Sequence, residues 1–356
     1  MVPRGQPGRF DGILRTGDVE RLVCETGLRM PAFRLVKDGK PLPAADYTED
    51  VPWRPGSFSG LARPERVAQE HAAGATIVLQ ALHLHWRPAA LYCRGLEQRL
   101  GFPVQANAYA TPASAQGFAV HHDTHDVFVL QVAGAKRWRV YAPVLELPLK
   151  NQRWSPALGD PGEPVLDFAL EAGDTLYLPR GWPHEAFAAH DDSLHLTIGL
   201  HPPTRVDALR AALDAAAAED VELRRGLDGE LPGLAGRLAP EAVARRARRR
   251  FVASRRPILD DQLTQARAAA GIGAGDALER RPTVIADVEP TGDGVTLCFE
   301  GRELRFPSQA RDAVVAVHAA AGPFTAAELP ESLDLEGRLV LVRRLVREGF
   351  LRALSP

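Results

Sequence analysis

Residues 107–143 read NAYATPASAQGFAVHHDTHDVFVLQVAGAKRWRVYAP, and polar and apolar positions alternate through much of them. Asn107, Tyr109 and Thr111 share one face of an extended chain, opposite Ala106, Ala108 and Ala110. DVFVLQV (126–132) and KRWRVYA (136–142) continue the pattern across a break at Ala133-Gly134. VQANAYA (104–110), PVLDFAL (164–170), DTLYLP (174–179), HEAFAA (184–189) and SLHLTIGL (193–200) are further short runs separated by turn residues. Many short strands with no helix between them predict a β-sandwich or barrel such as the cupin jelly roll. The stretch Ala113–Val120 reads as loop.

Upstream, the chain to about Pro55 is rich in Pro and Gly and reads as an irregular lead-in around one helix, Thr16–Cys24. Ala75–Leu82 reads as a strand. Trp86–Leu100 has helical spacing, with Leu91, Leu96 and Leu100 on its buried side and Gly101 as its stop.

Downstream of Pro203 the pattern turns helical: Val206–Arg225, Pro240–Arg256 and Ile258–Ala270, followed by a glycine-rich linker, Gly271–Gly275. The last segment has two strands around Gly292-Asp293-Gly294. Helical stretches then follow at Ser308–Ala320, Thr325–Leu329 and Leu335–Glu348, in the order of a winged helix. Three domains are expected: 1–203, 204–275 and 276–356.

Composition narrows the function classes. The 356 residues are 45% hydrophobic and 25% charged, a globular balance. Forty-three basic against 45 acidic residues leave a net charge of −2, so no global basic field drives nucleic-acid binding. The arginines of 245–256 read as a solvated helix face, and nucleic-acid contact is not expected. Three scattered cysteines build neither a disulfide framework nor a metal knuckle. No apolar run suits a signal peptide or a membrane span, so a cytoplasmic protein is expected.

Seven of the 11 histidines fall within residues 121–201. His121 and Asp123, two apart in an extended segment, share a face, and His122 points the other way. His184, after the Pro179–Gly181 turn, offers a third ligand from another strand. Two imidazoles and one carboxylate leave open positions on an octahedral ion, which suits non-heme Fe(II) oxygen chemistry. Zinc hydrolysis would use the same ligands. Lys136 shares a face with Trp138 and Val140, so it is either carried into the barrel, where it needs an anion such as a dicarboxylate, or snorkels to water. His195 and Thr197 share a face opposite Leu194, Leu196 and Ile198. With Asn107 and Tyr109 they read as the lining of a cavity or as a polar solvent face.

The stretch 107–143, with GDTLYLPRGWPHEA (173–186) and SLHLTIGL (193–200), resembles the JmjC-type ribosomal oxygenases. These are Fe(II)- and 2-oxoglutarate-dependent protein hydroxylases of the cupin superfamily. The resemblance covers residues 60–203 in motif detail. It implies an α+β chain: a double-stranded β-helix, then a helical dimerisation region, then a C-terminal winged-helix domain. It also implies His121, Asp123 and His184 as iron ligands and Lys136 as the anchor of the far carboxylate of 2-oxoglutarate. Asn107, Tyr109, Thr197 and His195 would be pocket residues around that cosubstrate. O2 would be the second cosubstrate. The implied target is an arginine or histidine of a ribosomal protein, probed by a homodimer; a large-subunit protein is the expected partner. A JmjC-type oxygenase with a non-ribosomal substrate and a silent cupin scaffold are the competing readings. The family's opening segment, with a Trp and a Lys-Pro pair, is expected before the region that starts at Phe10; either this chain lacks it or its start has been placed late. His125 stands at a position that faces either the substrate or a half-exposed loop.

Overall fold

The computed structural model describes residues 4–113, 115–188, 191–226 and 240–354. Two units emerge, Met1–Pro202 and Pro203–Pro356.

The lead-in of the first unit is more ordered than its Pro and Gly content suggests. Helix α1 (Thr16–Glu25) is followed by β1 (Phe33–Lys37), β2 (Lys40–Pro41), β3 (Thr48–Trp53) and β4 (Gly56–Ala62). Then come α2 (Pro64–Ala72), β5 (Thr76–Leu79) and α3 (Arg87–Leu100). β1 is short, but it pairs with β5 and buries Phe33, Leu35 and Val36, so tertiary burial selects the strand. The face of α3 differs from the expected one: Ala89, Cys93, Arg94 and Glu97 are buried, while Leu91 and Leu100 are 38% and 41% exposed. Polar pairing explains this phase. Arg94 Nε donates to Glu97 Oε2 at 3.1 Å, and Glu97 Oε1 accepts the Val104 N–H at 3.2 Å, which ties the helix to the next strand. Gly101 ends the helix at φ 74°, as expected of a left-handed cap.

Eight strands follow: β6 (Val104–Thr111), β7 (Gln116–His121), β8 (Asp126–Ala133), β9 (Ala135–Tyr141), β10 (Pro164–Glu171), β11 (Thr175–Leu178), β12 (His184–Ala188) and β13 (Ser193–Leu200). β7 replaces most of the loop expected over 113–120, because its register with β12 sets His121 against His184. One sheet runs β10-β9-β12-β7; the other runs β11-β8-β13-β6 and is extended by β5-β1-β2. This pairing is that of a jelly roll closed from two facing sheets. The β8–β9 turn needs Gly134: at φ 62° a Cβ there would stand 1.8 Å from the Asp192 carbonyl oxygen.

The two faces of the larger sheet have different partners. Its outer face, with Leu35, Ile77, Ala106, Ala108, Leu194 and Leu196, packs with residues of α1, α2 and α3 in one apolar cluster. Between the sheets a smaller cluster of Val127, Val129, Trp138, Val140, Leu170, Leu176 and Leu178 fills only part of the space. The remainder is lined by polar side chains.

The second unit begins with α4 (Arg205–Glu219), whose Thr204 cap and Asp207 form a reciprocal capping box. Helices α5 (Pro240–Ala253) and α6 (Gln262–Ala268) precede β14 (Leu278–Arg280). A three-stranded meander, β15 (Ala286–Thr291), β16 (Gly294–Phe299) and β17 (Arg302–Pro307), contains one strand more than the two expected. Helices α7 (Arg311–Ala319) and α8 (Leu335–Arg347) follow, and β18 (Leu351–Ala353) pairs with β14. Leu297, Phe299, Val314, Val317, Leu345 and Phe350 are fully buried in the core of this unit. The stretch 271–275 is not a free linker, since Ile272 joins that core and its carbonyl accepts both Nε–H and Nη2–H of Arg343. The arginines of α5 lie on an exposed face, as expected, and two of them are paired there, with Arg248 and Arg249 44% and 48% exposed. Arg248 grips Asp287 with two nitrogens at 2.9–3.1 Å, and Arg249 reaches Glu303 at 2.6 Å. Among the described residues no helix is long and apolar enough to cross a membrane.

Candidate metal centre

Three strand-end positions meet at one end of the space between the sheets. His121 closes β7, His184 opens β12, and the register sets the two opposite each other. Asp123 lies just past β7, where its carbonyl accepts the Gly181 N–H at 3.0 Å and so joins this turn to the one before His184. One ligand atom from each of His121, Asp123 and His184 lies within 4.8 Å of the others. Nε2 of His184 is 3.9 Å from Asp123 Oδ2, and the two imidazole centroids are 4.6 Å apart.

The hydrogen bonds of the rings decide their tautomers. Nδ1 of His121 lies 2.8 Å from the Ala119 carbonyl oxygen, and Nδ1 of His184 lies 3.0 Å from that of Trp182. A carbonyl only accepts, so both protons sit on Nδ1 and both Nε2 lone pairs are available to an ion. Burial, reinforced by the neighbouring His121, lowers the His184 pKa to about 4 and keeps that ring neutral. Two imidazoles and a carboxylate, each imidazole oriented by a hydrogen bond at Nδ1, form a donor set that can hold a divalent ion. His122 does point away: it is buried, with Nε2 3.1 Å from the Gln152 carbonyl oxygen and its ring edge-on to Trp154.

The cluster opens into a cavity of about 270 Å³ whose walls include Tyr109, Lys136, Trp138, His195 and Thr197. Register explains the gathering. His195 is opposite Tyr109 and Thr197 opposite Asn107, so the polar positions of β6 and β13 fall on one face in adjacent rows. On the other sheet, His184 is opposite Val140, Ala186 opposite Trp138 and Ala188 opposite Lys136. Lys136 therefore stands four residues along β9 from the His184 row, about 13 Å at strand spacing.

Lys136 is carried inward rather than snorkelling, at 3% exposure. Its ammonium donates to Thr111 Oγ1 at 2.9 Å, and that hydroxyl also bonds Thr76 Oγ1 at 3.1 Å. Burial lowers the Lys136 pKa to about 7. Burial raises Tyr109 to about 12, with Asp123 adding to the effect, while hydrogen bonds from Thr197 and Asn107 oppose it. His195 stacks on Tyr109 with centroids 4.9 Å apart and meets Trp138 edge-on at 5.8 Å. Burial first, and the Lys136 charge second, hold His195 well below its ordinary pKa, so it is neutral. Asn107 is not among the cavity-lining residues; its Oδ1 accepts the Ala81 N–H at 2.9 Å and its side chain supports Tyr109. His125 does not line the cavity either, and stacks on His201 at 4.5 Å.

Arg34 and Thr76 also line the cavity, and Thr111 holds Lys136. Sequence reading passed over Arg34 because it lies in the supposedly irregular lead-in. Thr111 carried a visible signal, since it shares the face of Asn107 and Tyr109.

The JmjC domain family matches residues 82–208. Ribosomal oxygenase 1 of Gallus gallus is 33% identical over 251 residues, 68% of this chain and 40% of that protein. Ribosomal oxygenase 1 of Homo sapiens is 39% identical over 240 residues, covering 64% of this chain and 35% of that protein. The bifunctional lysine-specific demethylase and histidyl-hydroxylase NO66 of Drosophila persimilis is 36% identical over 174 residues, 47% of this chain and 25% of that protein. The chain thus spans less than half the length of these relatives. The ribosomal oxygenase YcfD of Escherichia coli, solved with cobalt and 2-oxoglutarate, has the same fold, with a TM-score of 0.53 and 20% identity over 96% of this chain and 91% of that one. Residues 82–208 thus resemble a JmjC domain, and the proteins this chain is similar to include ribosomal oxygenases.

Proposed function

We propose that this protein is an Fe(II)- and 2-oxoglutarate-dependent oxygenase that hydroxylates a protein side chain, an arginine or histidine of a ribosomal protein. One observation carries the reading. A two-histidine, one-carboxylate cluster and a buried lysine occupy opposite ends of a single cavity. That spacing suits a small dicarboxylate with one end at a metal and the other at an ammonium. YcfD, solved with cobalt and 2-oxoglutarate, and the hydroxylase named among the relatives support the same chemistry.

His121, Asp123 and His184 would hold the ion through Nε2, a carboxylate oxygen and Nε2. Bound there, Fe(II) supplies redox chemistry that couples decarboxylation of 2-oxoglutarate to succinate and CO2 with insertion of one oxygen atom from O2 into a C–H bond. Lys136 would neutralise the far carboxylate of the cosubstrate. Tyr109, held by Asn107 and Thr197, and His195, stacked on Tyr109, would fix its orientation. Trp138 and the valines of β8 exclude water from one side of the cavity. The reaction asks no side chain to move a proton, which fits a site where burial keeps His184 and His195 neutral.

The second unit is read as a helical dimerisation segment (204–275) followed by a winged helix (276–356), with a second copy of the chain as partner. Val206, Leu209 and Leu213 repeat at helical spacing on α4 and are 36%, 50% and 40% exposed, an apolar stripe that suits such a partner. Nucleic acid is the less favoured partner. Arg338 of α8 donates to the carbonyls of Ala327 and Leu329, and Arg343 to that of Ile272, so these guanidinium groups serve the fold. A cytoplasmic location is part of this reading.

The test is incubation with Fe(II), 2-oxoglutarate, ascorbate and ribosomal proteins from the host lacking this gene, followed by intact-mass analysis. A gain of one oxygen atom on one ribosomal protein, lost with His184→Ala, supports the full reading. Consumption of 2-oxoglutarate without that gain moves the substrate beyond the ribosome. Neither gain nor consumption leaves a silent scaffold.

A further inference from the structure

The strand register reaches beyond the eight strands of the jelly roll. Arg34 on β1 is opposite Val78 on β5, Val78 is opposite Tyr109 on β6, and Tyr109 is opposite His195 on β13. Residues directly opposite in antiparallel strands share a face, so Arg34, Val78, Tyr109 and His195 form one row across the sheet. Two strand spacings, about 10 Å, separate the Arg34 and Tyr109 backbones, a gap an extended arginine side chain largely covers. Arg34 accordingly lines the same cavity as Tyr109 and His195, and its charge acts on the Tyr109 phenol.

This row lies beside the anion end of the cavity. Two residues along from Arg34 and Val78 is the row of Val36 and Thr76, and Thr76 bonds Thr111, the residue that holds the Lys136 ammonium. His195 meets Trp138, which lies two residues from Lys136 on β9 and sits in the row between those of Lys136 and His184. Asp123 is the one carboxylate among the described lining residues, and it stands at the metal end. Arg34 and Lys136 are the cations among the described lining residues, and the row of Arg34 adjoins the row whose Thr111 holds Lys136.

We propose that Arg34 is a second cation of the cosubstrate site, gripping together with Lys136 the carboxylate of 2-oxoglutarate that lies away from the metal. The assignment rests on the oxygenase reading above. It also explains how the site attracts a dianion at neutral pH. Burial lowers the Lys136 pKa to about 7, whereas a guanidinium brings a delocalised charge and a planar fork that matches a carboxylate.

Calorimetric binding to the full chain in the presence of Mn(II) separates this role from a structural one. Two ligands are compared: 2-oxoglutarate, and 2-oxopentanoate, which keeps the 2-oxo acid but ends in a methyl group. Arg34→Met should weaken 2-oxoglutarate binding tenfold or more and leave 2-oxopentanoate within twofold, with Arg34→Lys intermediate for 2-oxoglutarate. If Arg34→Met leaves 2-oxoglutarate within twofold, or weakens both ligands alike, the assignment is wrong. Should Arg34→Met not fold, Arg34→Lys and Arg34→Gln carry the same comparison. A wild-type protein that does not prefer 2-oxoglutarate over 2-oxopentanoate overturns the oxygenase reading itself, and this assignment with it.

Discussion

The ammonium of Lys136, on one sheet, donates a 2.9 Å hydrogen bond to the hydroxyl of Thr111 on the other. The bond crosses the jelly roll at the end away from His121, Asp123 and His184. It holds in place a charge that burial disfavours, and an arriving carboxylate would stabilise that charge further.

A pH dependence follows from this pair. Burial lowers the Lys136 pKa to about 7, and a bound carboxylate favours the protonated form and raises it. Binding of 2-oxoglutarate is therefore expected to take up protons near neutral pH and to weaken as pH rises above 7. Calorimetry in two buffers of different ionisation enthalpy measures the uptake. Zero uptake near pH 7 would show that Lys136 is already fully charged in the ligand-free protein or does not meet the ligand.

The same burial sets up an opposed pair of effects in Lys136→Met. A buried ammonium costs more desolvation than an isosteric thioether, so the variant should melt a few degrees higher. Its 2-oxoglutarate affinity should drop at least tenfold. A thermal melt and a binding isotherm on one preparation check both directions at once.

His184→Ala removes one imidazole of the three-residue cluster and should abolish Fe(II)-dependent consumption of 2-oxoglutarate. Equilibrium dialysis with Mn(II) should show a loss of metal affinity of about 100-fold. Unchanged turnover would mean that the ion is held elsewhere.

In α3 the Arg94–Glu97 pair is buried on both sides, at 4% exposure each. Glu97→Leu leaves the guanidinium without its carboxylate and deprives the Val104 N–H of an acceptor. The expected loss is about 3–5 kcal/mol in urea unfolding. A loss below about 1 kcal/mol would show that water replaces the carboxylate freely.

On α4, Leu209→Glu with Leu213→Glu puts two charges on the exposed apolar stripe. Sedimentation should then show a shift from dimer to monomer with 2-oxoglutarate binding unchanged. A wild-type protein that is already monomeric, or a variant that still dimerises, removes α4 as the contact.

Alternation alone disclosed most of the strands of 104–200 and the shared face of His121 and Asp123, while β7 read as loop and the course of Lys136 stayed open between the barrel interior and water. What it disclosed is a local consequence of a two-residue period and a few turn residues. The lead-in was illegible by the same means: FRLVK is too short to announce itself as a strand, and it becomes β1 only because β5 supplies hydrogen bonds and burial. The α3 helix shows a further limit. Leucine spacing pointed to one face, but the Arg94–Glu97 pair and its tie to β6 turned another inward.

The sequence by itself determined which residues could ligate an ion, which strands alternate, and where one β domain gives way to helices, because those properties depend on near neighbours in the chain. Only the tertiary structure decided that His184 meets His121, that Thr111 receives Lys136, and that Arg34 joins the cavity from β1. Those encounters depend on inter-strand register, which is set by the packing of two whole sheets and not by the residues on either side of the site.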